Sequence, residues 1–185
     1  KKFLTPKELS IFLHYLDKEE DFEFKTIIYL IVYTGVRKSE ALGLTWQDVQ
    51  FDEGYIYIKQ SRVTTASGEL VADTKTISST RIVQVPEKVM EMLKQLNKTN
   101  EFVFNFRSRT LGKMFTKFIN NYKCIPPITL HKLRHTHATI LLSNNIDIKS
   151  ISARLGHSET STTLNIYSHV LKENDKKIAK MLNDL

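Results

Sequence analysis

The spacing of apolar positions changes twice along the chain, and those changes mark out its elements. In "TPKELSIFLHYL", Thr5 stands as N-cap, Pro6 takes the first helical position and Glu8 follows the cap by three residues, which predicts a helix start. A second, strongly apolar helix is predicted from about Phe22 to Thr34 with Gly35 as its stop. "VRKSEALGL" reads as a short helix just after it, so Arg37 falls at a junction between helices. From Val49 the period shortens to two and β-branched and aromatic residues take over, with turn signals at "DEG" and "ASG". That stretch predicts a small three-stranded antiparallel sheet near residues 49–86. Pro86 then opens a helix to about Leu96, "FVFNF" is a short buried segment, and a helix from about Arg109 to Tyr122 ends before "IPP". Thr129 is placed to cap the helix that carries "LHKLRHTHAT" and ends near "SNN", and Asp147 to cap one that runs to Leu155 and stops at Gly156. A helix starting at Ser158 or Ser161 is expected to run through Tyr167, and "LKENDKKIAKMLNDL" is a last amphipathic helix. The fold class is therefore α+β, mostly α-helical with one small sheet, and the 185 residues read as one domain without internal repeats or linkers.

Charge narrows the choice of partner. Lys and Arg outnumber Asp and Glu by 27 to 20, a net charge of +7, which favours a polyanionic partner such as nucleic acid or an anionic membrane surface. No apolar run approaches a membrane span and no amphipathic basic helix stands out as a surface anchor, so membrane association is not expected. Cys124 is the only cysteine, which excludes an internal disulfide and a multi-cysteine zinc site, fits a reducing cytosol and leaves that residue a structural role. The chain opens Lys-Lys without an initiator Met, as a fragment of something longer would.

The densest chemistry lies in "LHKLRHTHAT", with three histidines and an arginine within seven positions. At about 100° per residue, Leu130, Leu133, His137, Ile140 and Leu141 fall on one side of the helix and His131, Arg134 and His135 on another. His137 is thereby expected to be a core histidine with one hydrogen-bond partner. His131 and His135 have the i, i+4 spacing of zinc ligands, but "HKLRH" lacks the glutamate of the metalloprotease helix, and Arg134 sets a permanent positive charge on the same face. An anion reverses those objections: an arginine fork binds phosphate bidentately, and an imidazole beside it can donate a hydrogen bond or move a proton. The residues alone leave a solvated polar face as the alternative.

Read together, "TGVRKSEALGLTW", "TKT" followed by "STRIVQVP", "LHKLRHTHAT" and "LGHSETSTTLNIY" resemble, in order and over nearly the whole chain, the motifs of the tyrosine recombinase (phage-type integrase) catalytic domain. The resemblance implies a site-specific DNA recombinase that cleaves and rejoins duplex DNA through a 3′-phosphotyrosine intermediate, integrating or excising a mobile element without metal, ATP or other cofactor. It implies that Arg37 and Arg134 clamp the scissile phosphate and that Tyr167 is the nucleophile. Lys75 matches the lysine that protonates the leaving 5′ oxygen, His131 the general acid/base and His157 the second hydrogen-bond donor. Glu40 and His135 match supporting positions. Such residues suit the chemistry, because fixed cations stabilise charge that develops on phosphoryl oxygens and a phenol needs a proton acceptor as it attacks.

The resemblance also implies a homotetramer in the synaptic complex, a monomer or weak oligomer for the isolated domain, and accessory DNA-bending or excision factors acting in the bacterial cytoplasm. The family's N-terminal core-site and arm-binding domains are expected to be absent from this chain. Taken singly, each residue keeps a plainer reading: Arg37 and Glu40 as a surface ion pair, Lys75 as a solvated loop lysine, His157 as a helix cap and Tyr167 as a half-buried tyrosine near Leu164. Ile178, Met181 and Leu182 of the last helix serve either a neighbouring protomer or the chain's own core. A non-catalytic DNA-binding regulator, with "DIKSISARLGHSETSTTLNIY" as a helix-turn-helix, and a histidine-metal hydrolase are the competing functions.

Overall fold

The computed structural model describes residues 3–65, 68–73 and 80–156. Within them the order is α1 (Pro6–Leu16), α2 (Phe22–Thr34), α3 (Lys38–Gly43), a 3₁₀ turn (Trp46–Asp48), β1 (Val49–Gln50), β2 (Tyr55–Ile58), β3 (Gln60–Thr65), β4 (Gly68–Asp73), β5 (Arg81–Gln84), α4 (Glu87–Lys94), α5 (Ser108–Asn121), α6 (Leu130–Ser143) and α7 (Ile148–Leu155). The α+β class with helices dominant is as expected.

The helix starts follow their local chemistry. Thr5 and Glu8 close a capping box, the Glu8 N–H donating to Thr5 Oγ1 (3.3 Å) and the Thr5 N–H to Glu8 Oε2 (2.8 Å). Asp21 and Asp147 cap α2 and α7 through the N–H groups of Phe24 and Ser150. Thr129 occupies the N-cap of α6 but its side chain makes no capping bond, a departure from the expectation. Helix α2 is apolar on every side and is the central element, with Ile27, Ile28, Leu30 and Ile31 fully buried and α4 and α6 packed against it. Gly35 ends it in the left-handed region (φ 70°), where a Cβ would sit 2.6 Å from His137 Cδ2, so this stop needs both the conformation and the missing side chain.

The β region differs from a single sheet. The expected three-stranded antiparallel sheet is present in the order β1-β2-β5, with Ile56 opposite Val83, and a separate antiparallel hairpin pairs β3 with β4. The buried positions Ile56, Ile58 and Arg62 stay in one phase, but the strand changes partner at Lys59, which salt-bridges Asp48 at 2.6 Å. Alternation reports which face is buried and carries no information about which strand lies alongside. The hairpin is seated on α3, where a Cβ on Gly43 would lie 3.0 Å from the backbone of Ser61 and Arg62.

Cys124 is exposed, in the turn that follows α5. One further expectation is corrected. On α6 the buried set is Leu130, Leu133, Arg134, Thr136, His137, Ala138, Thr139 and Leu142, while Ile140 and Leu141 are only half-buried. The helix packs on α2 along one side and on α7 along another, and two contact faces bury more than one stripe. Ala138 and Leu142 join Ile151 and Leu155 in a satellite core under α7. No helix among the described residues is long and apolar enough to cross a membrane.

Candidate active site

Arg37 stands where α2 hands over to α3. Its backbone N–H donates to Glu40 Oε2 (2.7 Å) and its Nη1 to Glu40 Oε1 (2.8 Å), so one carboxylate fixes both the backbone and the side chain of the junction. A surface ion pair is not what forms: the Glu40 side chain is 3% exposed against 39% for Arg37. On its other side Glu40 receives Nη1 and Nη2 of Arg81, at 3.1 and 2.9 Å. Burial alone would raise the Glu40 carboxyl, but the hydrogen bonds and charge of Arg81, joined by those of Arg37, hold it below the ordinary carboxylate range.

Arg134 is buried rather than on a solvated face. Its Nη1 donates to the Gly35 carbonyl and its Nη2 to the Leu155 carbonyl, both at 2.6 Å. These carbonyls lie at the C-terminal ends of α2 and α7, where helix dipoles concentrate negative potential, so one guanidinium ties two helix ends to α6. His131 is exposed and His135 half-buried one turn on, their rings edge-to-face at 4.7 Å. Burial, then the charges of Arg134, Lys132 and Arg37, lower the His131 pKa; burial and the charge of His131 bring His135 to about 4. Both rings are therefore neutral at pH 7, when an imidazole can accept a proton.

Arg37, His131 and Arg134 line one cavity of about 560 Å³, whose walls include Lys38 and Ser39 of α3, Ser108 and Thr116 of α5 and Thr129 before α6. Two guanidiniums and a neutral imidazole around one opening suit a tetrahedral oxyanion. No group of three or more His, Cys, Asp or Glu side chains placed to hold a metal occurs among the described residues. Lys75, His157 and Tyr167, the last amphipathic helix and the second helix of the helix-turn-helix alternative lie outside the described residues.

Reading by motif overlooked Arg81 and Arg154. Arg81 begins β5 on the face it shares with Val83, and Ile82 and Gln84 face outward, so alternation alone places a charge inside the sheet and calls for a buried partner. Arg154 lies beside the Ile151–Leu155 stripe of α7 and donates to Tyr33 O (3.1 Å), Gln84 O (3.0 Å) and His137 Nε2 (3.1 Å). His137 is the expected core histidine with two partners instead of one, since its Nδ1 also meets the Val32 carbonyl at 3.0 Å. A carbonyl only accepts, so the proton sits on Nδ1 and Nε2 accepts from Arg154. Burial first, and then the Arg154 charge, bring its pKa to about 4.

An unfolded histidine binds its proton near pH 6.5, so as pH falls from 6.5 towards 4 the unfolded chain gains a proton that the fold refuses. Stability is accordingly full above pH 6.5 and declines below it. His137 alone is expected to remove about 2 kcal/mol between pH 7 and 5. Urea denaturation across that range checks this, and an equal slope in His137→Gln would assign the loss elsewhere.

The phage integrase family model matches residues 2–174. The ICEBs1 integrase of Bacillus subtilis (strain 168) is 29% identical over the whole of this chain and 55% of its own length. The XerC-like tyrosine recombinase of Caldanaerobacter subterraneus subsp. tengcongensis is 31% identical over 87% of this chain and 49% of its own length. The chain thus spans about half the length of the curated relatives it matches. Among solved structures, the Tn1549 transposon integrase in complex with circular intermediate DNA superposes with a TM-score of 0.86 at 24% identity, covering 98% of this chain and 67% of that one. The XerA recombinase does so with a TM-score of 0.72 at 26% identity, covering 98% and 64%.

Proposed function

The chain belongs to the phage integrase family, and from that membership we propose that it is the catalytic part of a site-specific tyrosine recombinase acting on duplex DNA. The observation that carries the reading is the convergence of Arg37, His131 and Arg134 on one cavity with Glu40 buried behind Arg37. A regulator that only binds DNA has no use for two arginines and a neutral histidine around a single opening.

In this reading the two guanidiniums hold the non-bridging oxygens of the scissile phosphate and offset the charge that builds as the phosphorus becomes five-coordinate. The Tyr167 phenol forms the new bond to phosphorus and gives its proton to His131, the bond from phosphorus to the 5′ oxygen breaks, and Lys75 protonates that oxygen. His157 supplies a further hydrogen bond to the phosphate, and His135 backs His131. The 3′-phosphotyrosine conserves the energy of the broken bond, so a 5′ hydroxyl from a second duplex reseals the strand without ATP. The guanidiniums supply the electrostatic stabilisation, so the scheme calls for no metal and no cofactor. Integration or excision of a mobile element, four protomers around two duplexes, accessory DNA-bending or excision factors and action inside the bacterial cell complete the proposal.

The test is a nicked duplex carrying the cognate site, incubated with the protein in EDTA. A protein–DNA adduct that withstands denaturing electrophoresis is expected, with the nucleotide mapped by mass spectrometry to Tyr167. Binding without an adduct would return the protein to the regulator class, and attachment at another residue would overturn the assignment of the nucleophile.

A further inference from the structure

The Glu40 carboxylate is shared by two guanidiniums that differ in where they sit. Arg81 is almost wholly buried, its side chain 7% exposed, whereas Arg37 reaches the cavity. The Arg81 Nε donates to the Arg154 carbonyl (2.7 Å), and Gly156 lies against its guanidinium so closely that a Cβ there would fall 2.8 Å from Nη1. Gly156 has φ 67°, so the turn after α7 is shaped to the flat face of this arginine. The Nε side of Arg81 is thereby set by backbone, and the carboxylate meets Nη1 and Nη2 end-on.

Charge counting gives this geometry a consequence. One carboxylate between two guanidiniums leaves the trio at +1, and Arg37 is the member that faces the opening. Without Arg81, Glu40 would neutralise Arg37 one for one and its fork would turn wholly to the carboxylate. We propose that Arg81 is a positioning residue for the recombination reaction: it occupies the far side of Glu40, so that Glu40 orients Arg37 without cancelling the charge that Arg37 offers to a phosphodiester. The proposal rests on the reading of the cavity as the seat of the scissile phosphate. The lowered Glu40 pKa, with Arg81 the foremost lowering influence, agrees with it.

Arg81→Gln, Arg81→Lys and the double variant Arg81→Gln/Glu40→Gln test it in two assays, with thermal melts establishing that each variant is folded. In the first, inorganic phosphate is titrated against the histidine ring signals in NMR. Arg81→Gln is expected to bind phosphate about tenfold more weakly, while the lysine variant and the double variant, both of which leave a net cation at the cavity, stay within about threefold of the parent. In the second, adduct formation on the nicked duplex is timed in a single turnover and compared with the Kd for the same duplex. Arg81→Gln should slow the adduct about a hundredfold and move the Kd by less than about threefold, because duplex affinity is spread over many phosphate contacts. A role in folding alone predicts that lysine fails to rescue and that the double variant is worse than the single. That result, or phosphate affinity unmoved in Arg81→Gln, or no saturable phosphate binding in the parent, overturns the proposal. If the parent binds phosphate but forms no adduct, the recombinase reading falls instead, and the phosphate titration still decides the role of Arg81.

Discussion

Arg134→Ala is expected to lower adduct formation about a thousandfold and to cost about 2–5 kcal/mol of stability in the same molecule. The two losses have separate origins in one side chain. Its Nη1 and Nη2 supply the donors for the carbonyls of Gly35 and Leu155, at the C-terminal ends of α2 and α7. Alanine leaves both carbonyls buried without that donor and opens a void between α2 and α7. The same guanidinium lines the cavity, where its charge counts most once the phosphoryl oxygens gain negative charge. Arg134→Lys is expected to fall between, because an ammonium is a single point of charge where the fork spans two carbonyls set apart by 120 residues of chain. Urea denaturation and single-turnover cleavage below the lowered melting temperature separate the two effects. Full stability in Arg134→Ala would mean that the two carbonyls find other donors, and an equal loss in duplex binding and cleavage would reduce Arg134 to holding the DNA in place.

How far the sequence discloses this site depends on the kind of signal each residue leaves. The start of α1, the end of α2 and both ends of α7 are legible because their signals are local: Thr5 with Glu8, Gly35, and Asp147 with Gly156. Arg37, His131 and Arg134 were legible as candidates through the ordered motifs, but their environments were not. Helical periodicity placed Arg134 beside His131 on a polar face, whereas the chain buries it by bringing in α7, a contact that no local pattern encodes. The hairpin of β3 and β4 was hidden for the same reason, since a strand that changes partner at Lys59 keeps its buried positions in one phase. Arg81 had left a local trace in the inward phase of β5, and what concealed it was attention to motifs over faces. The three histidines of "LHKLRHTHAT" part company in the fold: His131 joins the cavity, His135 packs against His131, and His137 is locked between Val32 and Arg154.

Glu40→Ala should damage the fold severely, costing roughly 3–5 kcal/mol out of the roughly 5–15 kcal/mol that hold a domain of this size together. Removing the carboxylate takes from the buried Arg81 guanidinium the negative charge it pairs with in Glu40. At the same time the first turn of α3 loses the acceptor for the Arg37 N–H, and the Arg37 side chain loses the bond that aims it. Cleavage by whatever remains folded is therefore expected to fall with Arg37 still present. Glu40→Gln keeps one carbonyl acceptor and should lose less of both. The pH dependence follows from the same carboxylate, and its sign is fixed. Although burial opposes ionisation, Arg81 and Arg37 hold the folded pKa below the unfolded one, so the stability that Glu40 supplies is present above the ordinary carboxylate range and is lost as pH falls through the lowered value. Denaturation midpoints for the parent and both variants from pH 7 downward test this directly. The gap between parent and Glu40→Gln should narrow in acid, below the window in which His137 acts, and a gap that stays constant to pH 3 would show that packing, not charge, is what Glu40 contributes.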